Sequence, residues 1–384
     1  MTQKKIFAFY LPQFHETQEN NIWWGKGFTE WTNVRAAKPF LENQNIPRVP
    51  INNYYNDLSL IDDLKHQADL QNQFGLAGFS VYHYWSEGVQ LLSKPINLIL
   101  QNKDIDFKFH LTWANHPWVR SWRNSSSNKE VLLEQTYETS SDARLQHFQY
   151  LERVMADARY NLIENKLVFN IYKPASIPNL QEYVAELREY IFTKLGKELI
   201  INGLLTHNES NDAWVSPLDN VILFQPGTAL FNSTNLSELP LDYKSLRHFI
   251  ISKLISLNFP GKEFLYGVRN KFFQKPNIYQ YDDIYDLLIQ QSEVKSYRGK
   301  NIILGCFVDW DNTPRYGKNA TVIRGALPQK FRKYLSRLDK ILDAKGDNLL
   351  YINAWNEWGE SAYLEPDNLN QYQNLEALKD VFNL

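Results

Sequence analysis

A chain of 384 residues can hold one large single-core domain or two ordinary ones, and 43% hydrophobic with 22% charged residues is a globular balance that excludes disordered and fibrous classes. A formal net charge of -2 leaves no basic surplus for phosphate backbones, so nucleic acid is not an expected partner. The single cysteine, Cys306, excludes an internal disulfide and most thiolate metal sites, which suits a reducing compartment.

The first apolar run, residues 6–11, is broken by Pro12, Gln13 and His15, too short and polar for a signal-peptide core. No segment approaches the roughly 20 apolar residues that span a bilayer, so a cytoplasmic protein without a transmembrane segment is expected. Residues 6–10 predict the first strand. Residues 58–74 place Leu60, Ile61, Leu64, Ala68 and Leu70 at helical spacing and lead through Gly75 and Gly78 into a second strand, 79–84, the pattern of a βαβ unit. The pattern continues with a strand over 108–114, a helix over 142–156, a strand over 167–171, a helix over 180–195 and a strand over 198–204. Strands over 221–224, 264–268, 302–308 and 349–354 follow, with helices over 281–291 and 328–342; residues 125–127 and 208–212 are expected to be surface loops. Alternation along the whole chain with a strand count near eight predicts an α/β fold of the (β/α)8 TIM-barrel type, one domain over residues 1–384 with elaborated loops.

In such a barrel the residues following each strand share one rim. Here they are Tyr10, Gln13, Phe14 and His15, then Tyr82, His83, Tyr84 and Trp85, then Trp113, Asn115, His116, Trp118, Arg120 and Trp122. The later strands add Asp309, Trp310, Asp311, Asn312 and Arg315, and finally Trp355, Asn356, Glu357, Trp358 and Glu360. Trp and Tyr stack on the C–H faces of sugar rings while keeping a polar handle, and carboxylates and amides are costly to bury unpartnered, so a polar, aromatic cleft is expected. A satisfied structural network is the bland alternative.

Glu357 and Glu360 are the leading catalytic candidates, because two carboxylates three positions apart on a turn can enter one cleft and divide into acid and base. Surface Glu-x-x-Glu pairs are common, and the aromatic setting is what distinguishes this one. His15, His83 and His116 lack metal-ligand spacing and suit ordinary hydrogen bonding, so neither a metal nor any other cofactor is expected. Asp309-Trp-Asp311 has the spacing of a nucleotide-binding D-x-D, but no glycine-rich phosphate loop accompanies it.

The ordered motifs Phe9-Tyr-Leu-Pro-Gln-Phe-His15, Trp23-Trp-Gly-Lys-Gly-Phe-Thr-Glu-Trp-Thr-Asn-Val34 and Tyr82-His-Tyr-Trp85 resemble the WbsX-like family, a glycoside hydrolase family 99-like group. Trp113-Ala-Asn115, Trp310-Asp-Asn-Thr-Pro-Arg315, Asn353-Ala-Trp-Asn-Glu-Trp-Gly-Glu360 and Leu364-Glu-Pro-Asp367 extend the match across the chain. The resemblance implies a (β/α)8 barrel acting in bacterial surface polysaccharide, often O-antigen, assembly, and kinship with endo-α-mannosidases that retain configuration through the substrate's own 2-hydroxyl. It assigns Glu357 as base and Glu360 as acid/base. With the rim it marks Tyr10, Gln13, His15, Trp23, Trp24, Glu30, Trp31, Tyr82, His83, Tyr84, Trp85, Trp113, Asn115, Trp118, Trp310, Asp311, Asn312, Arg315, Trp355, Asn356 and Trp358 as substrate-binding candidates.

One departure stands out: relatives read Trp-Ala-Asn-Glu-Asn-Trp where this chain has Trp113-Ala-Asn-His-Pro-Trp118, so a carboxylate is replaced by His116. The expected partners are an oligosaccharide or polysaccharide and, for transfer, a sugar-nucleotide donor and a lipid-linked acceptor. Three readings are open: an enzyme that forms or cleaves an α-glycosidic bond, a non-catalytic sugar-binding barrel, and an unrelated α/β enzyme. The last would need a Schiff-base lysine or metal cluster that the rim does not offer.

Overall fold

The apolar run Ile-Phe-Ala-Phe-Tyr is buried along its whole length, as expected of a strand covered on both faces. It belongs to β1 (Lys5–Tyr10) of a computed structural model that describes residues 3–86, 88–119, 130–137, 140–206, 212–231 and 276–384. Seven further strands run parallel to it: β2 (Gly78–Ser86), β3 (Phe109–Trp113), β4 (Lys166–Ile171), β5 (Leu199–Leu205), β6 (Asn220–Leu223), β7 (Lys300–Phe307) and β8 (Leu349–Asn353). Each strand pairs with its neighbours in chain order. Strand β1 pairs with β2 at Phe7 to Gly78 and with β8 at Lys5 to Leu349, which closes the sheet into an eight-stranded barrel.

Helices cover the outside: α3 (Ile61–Gln73), α4 (Lys94–Gln101), α5 (Ser141–Met155), α6 (Leu180–Leu195), α7 (Tyr281–Glu293), α8 (Pro328–Lys345) and α9 (Gln373–Phe382). Two shorter ones, α1 (Gln18–Trp24) and α2 (Glu30–Ala36), lie in the long connection after β1. Proline at the first position of α8 and the left-handed Gly346 after its last mark the ends that the sequence signals. The (β/α)8 expectation therefore holds.

Two helix ends differ from the sequence reading by three residues, the end of α8, which runs to Lys345 and not 342, and the start of α3. Helix α3 starts at Ile61, three residues after the expected Leu58, because Leu60 N–H closes a turn on the Asp57 carbonyl and the Asp63 carboxylate accepts from Asp57 N–H. The Asp63 side chain thus ties the preceding turn to the first turn of the helix. The strand expected over 264–268, the loop over 125–127, residues 208–211, Arg120 and Trp122 lie outside the described residues.

The barrel interior is not purely apolar. Asn220, Asn202 and Asn170 form a ladder of amide hydrogen bonds at 2.8 and 2.9 Å that reaches Ser80 and Thr112, and His110 meets the Tyr351 hydroxyl at 3.1 Å. Each of these groups finds a partner on another strand of the barrel, some adjacent and some across it, so the network ties the strands together at little net cost. Strand β7 approaches β6 so closely at Gly305 that an added Cβ would stand 1.9 Å from the Leu223 carbonyl oxygen, which only glycine allows. Cys306 is fully buried beside it, and burial raises its thiol pKa, as suits an inert core cysteine. Among the described residues no helix is long and apolar enough to cross a membrane, and no group of three His, Cys, Asp or Glu could hold a metal.

Candidate functional site

Past the end of β8 the chain makes a short antiparallel bridge, Asn356–Glu357 with Ala362–Tyr363, around a helical turn at Trp358–Glu360. The bridge forces the turn to double back, so Glu357 and Glu360 stand on either side of it and both face Arg315. Its guanidinium lies 3.1 Å from Glu357 Oε1 through Nη2, 3.4 Å from Glu360 Oε1 through Nη1, and 3.7 Å from Glu30 Oε2. These four side chains are only 12–15% exposed, so they are neither sealed in the core nor loose in bulk water.

Three carboxylates around one cation cannot all be neutralised. Burial raises the pKa of Glu357 and of Glu360; Arg315 opposes the rise in both, while Glu360 and Glu30 add to it at Glu357. The pair titrates as a unit and holds on to a proton above the usual carboxylate range. Burial also works against the charge on Arg315, but Glu357, Glu360 and Glu30 outweigh it and keep the guanidinium protonated.

Arg315 is delivered by a stapled loop. The Asp311 carboxylate accepts from Thr313 N–H at 3.0 Å and from its hydroxyl at 2.7 Å, and Asn312 Oδ1 accepts from Thr321 N–H at 2.8 Å. The turn Thr313–Tyr316 therefore starts from a fixed point. Glu30 opens α2, where a Thr29/Thr32 capping box sets the helix start.

Aromatic rings line the same mouth. The Tyr82 ring lies 6.4 Å from Tyr84 and 6.2 Å from Tyr172, and Trp118 meets Tyr84 at 5.2 Å and Trp23 at 5.5 Å. Burial raises the phenol pKa of Tyr82, Tyr84 and Tyr172, and the field of Glu357 adds to it in all three. Those hydroxyls stay protonated and can donate. His116 packs against Tyr172 at 5.2 Å; burial, then Lys173 and Arg315, lower its pKa to about 4, so the imidazole is neutral at pH 7.

The structure thus brings together Glu30, Tyr82, Tyr84, Trp23, Trp118, Arg315, Glu357 and Glu360 from the sequence candidates, with His116 beside them. Many of the others hold the wall from behind. Trp355 is fully buried against Phe79, and Trp358 is stacked on Tyr363 with its indole donating to Glu365. Trp31 donates to the Asn56 carbonyl at 2.8 Å, and Trp113 donates to the Trp85 carbonyl at 3.2 Å. His83 faces His147 at 2.8 Å under Trp85 and Tyr150, far enough from water that burial lowers its pKa to about 3. Burial likewise lowers His15 to about 4, and Tyr10 is sealed between Phe79 and Phe107.

Asn356 clamps Leu11 through both its backbone groups at 2.8 and 3.0 Å, and Asn115 clamps Lys173 in the same way at 2.7 Å each. These two amides tie neighbouring strand ends together. Asp311 and Asn312 serve the Arg315 loop, while Gln13, Trp24 and Trp310 are half-buried around the rim, Trp24 stacked on Phe28 at 5.4 Å. Tyr172 and Tyr316 were not among the sequence candidates. Tyr172 directly follows β4, so the strand-end rule applied to every strand would have found it; Tyr316 is the immediate neighbour of Arg315 and feels Glu360 and Glu357.

A family profile described as Glycosyltransferase WbsX matches residues 6–378. The chain belongs to the WbsX family. Among curated proteins it is 29% identical over 381 residues to the protein described as uncharacterized protein WxcX from Xanthomonas campestris pv. campestris strain B100, covering 98% of this chain and 49% of that protein. The chain thus spans about half the length of the curated relatives it matches. Among solved structures, the GH99 endo-alpha-mannosidase from Bacteroides thetaiotaomicron superposes with a TM-score of 0.52 at 13% identity, covering 98% of this chain and 95% of that one. A structure described as a glycoside hydrolase-like protein reaches 0.58 at 13% identity, covering 99% and 94%. At such identity the likeness is one of fold. In this WbsX-family barrel the motif residues fall into two groups, those facing the mouth around Arg315 and those packed beneath it.

Proposed function

We propose that this chain is a carbohydrate-active enzyme that forms an α-glycosidic bond, with retention of configuration, during assembly of a bacterial surface polysaccharide such as O-antigen. The observation that carries the proposal is the bridging of Glu357 and Glu360 by Arg315 inside an aromatic barrel mouth. Two acids with raised pKa values and one fixed cation favour a state in which one carboxyl is protonated and the other ionised, which is what glycosyl chemistry needs.

In the proposed first step Glu360 gives its proton to the leaving oxygen while Glu357 takes the proton of the sugar 2-hydroxyl. The 2-oxygen attacks the anomeric carbon, the bond to the leaving group breaks, and a 1,2-anhydro sugar forms. In the second step Glu360 takes a proton from the incoming hydroxyl, which opens the anhydro ring at the anomeric carbon, and Glu357 returns the proton to the 2-oxygen. Tyr82, Tyr84 and Tyr172 are placed by this reading on sugar hydroxyls, with Trp23 and Trp118 as stacking surfaces.

The transfer form calls for an activated donor such as a sugar nucleotide, a lipid-linked acceptor, and a cytoplasmic location. Hydrolysis of finished glycans, in the manner of an endo-α-mannosidase, is the second reading, favoured by the likeness of fold to a protein of that name. The test is incubation of the purified chain with sugar nucleotides and lipid-linked acceptors on one side and finished α-linked glycans on the other, with products identified by mass spectrometry. Lengthened acceptor supports transfer, sugar released by water alone supports hydrolysis, and saccharide binding without any product leaves a glycan-binding barrel.

A further inference from the structure

A cleft of about 340 Å³ opens on the outer side of the loop after β7, between residues 41–48, the start of α8 and the start of α9. That volume lies at the small end of the roughly 300–1,000 Å³ of ligand sites. The loop separates the cleft from the barrel mouth: Asp311 lines the cleft, and the turn it staples carries Arg315 to Glu357 and Glu360.

Three carboxylates, Glu42, Asp309 and Asp311, and two guanidiniums, Arg48 and Arg324, line the cleft. Arg48 pairs with Asp309 at 2.6 Å and Asp311 holds Thr313 and Gln44, while the exposed Arg324 reaches the Glu42 carbonyl at 3.5 Å and the Glu42 carboxylate adds a third acid to the lining. What lines the opening besides these is a set of amides, Asn43, Asn45, Asn370 and Asn374, none of whose side chains is bonded to protein among the described residues. Leu327 and Leu369, 53% and 62% exposed, lie beside them.

Each primary amide offers donors and an acceptor together, the same pairing that adjacent hydroxyls of a sugar present. An anion would meet three lining carboxylates against two guanidiniums, one of them already paired with Asp309, and an apolar ligand would strand the amides without water. Two exposed leucines supply contact for the C–H face of a ring. We infer that this cleft binds a neutral saccharide segment of one or two sugar units, remote from the bond that reacts. The inference rests on the carbohydrate reading of the protein but not on Glu357 or Glu360.

The test is saturation-transfer NMR on the full chain with three neutral disaccharides, maltose, α-1,2-mannobiose and lactose, and with glucuronic acid and glucose 1-phosphate as charged comparators. The same set is applied to a Glu357→Gln/Glu360→Gln double variant and to Asn374→Trp and Asn45→Trp, which fill the cleft from opposite walls. At least one neutral disaccharide is expected to bind the wild type and the double variant, and to lose at least tenfold in affinity in both tryptophan variants at unchanged Tm. Should one tryptophan variant unfold, the other decides. No neutral disaccharide bound, affinity unchanged by the folded tryptophan variant, or binding confined to the charged comparators overturns the inference. Turnover that survives in the double variant removes the acid assignment at the mouth and, with tryptophan-sensitive binding intact, leaves the cleft standing.

Discussion

Glu365 accepts a hydrogen bond from the indole of Trp358 at 2.5 Å and another from the Asn56 amide at 2.9 Å. Trp358 lies between Glu357 and Glu360 in the same turn, stacked on Tyr363 at 3.7 Å and packed on Trp31 at 5.3 Å. A buried carboxyl outside the mouth therefore anchors the turn that presents both candidate acids.

Glu365→Ala is expected to lower turnover by tenfold or more with KM nearly unchanged, and Glu365→Gln, which keeps an acceptor for the indole, to recover most of it. Steady-state kinetics on the two variants check this; equal loss in both, or a change in KM alone, contradicts an anchoring role.

The same residue makes a pH prediction. Burial raises the Glu365 pKa to about 7, opposed by hydrogen bonds from Trp358, Gln67 and Asn56. In the unfolded chain it titrates near 4.3. A group whose folded pKa is raised contributes stability that is complete below the unfolded value and is lost as pH rises through the folded one. Between pH 4 and 7 Glu365 thus makes the fold progressively less stable, and Glu365→Gln should flatten that part of the Tm profile. A slope unchanged in the variant contradicts the assignment.

Arg315→Met removes the cation from among three carboxylates. Breaking a buried pair by deleting one partner costs on the order of 3 kcal/mol, and because Arg315 holds both acids down, their pKa values should rise further. The variant should lose Tm more at pH 8 than at pH 5, where the acids can protonate, and should lose activity at both. Thermal melts at the two pH values test the sign; an equal loss at both contradicts it.

Glu357→Gln and Glu360→Gln each remove a proton-transfer group while keeping size, so turnover should fall about 10²–10⁴-fold with Tm unchanged or raised, since a like-charge repulsion is relieved. Product formation at wild-type rate by either variant removes that residue from the mechanism.

Gly305→Ala would drive a methyl into the Leu223 carbonyl, 1.9 Å from the ideal Cβ position. Backbone cannot yield as a flexible side chain does, so strands β6 and β7 must part, costing about 3 kcal/mol or more. Denaturant unfolding of the folded variant measures it; a loss under 1 kcal/mol contradicts the close approach.

Much of this was legible in the linear sequence. Strands β1 to β8 were each foreseen within two residues of their bounds, because strands covered on both faces must be continuous apolar runs, and the helix-period stretches between them then require parallel pairing. Glu357 and Glu360 stood out because polar residues following an apolar strand are costly unless they face a cleft. The rule of strand ends names the residues that can reach the rim, but it does not say which way each side chain turns.

That division came only from tertiary contacts. Trp113, Trp355 and Trp358 carry the same residue type and the same strand-end position as Trp118, yet they are fully buried while Trp118 is half-exposed at the mouth. Nor does spacing reveal that Arg315 and Glu30, 42 residues before and more than 300 before the final acid turn, converge on it. Local chemistry determined the elements, their order and the acids on offer; the closure of the barrel decided which groups share a dielectric, and hence which of them hold a proton, because charge and burial act through space and not along the chain.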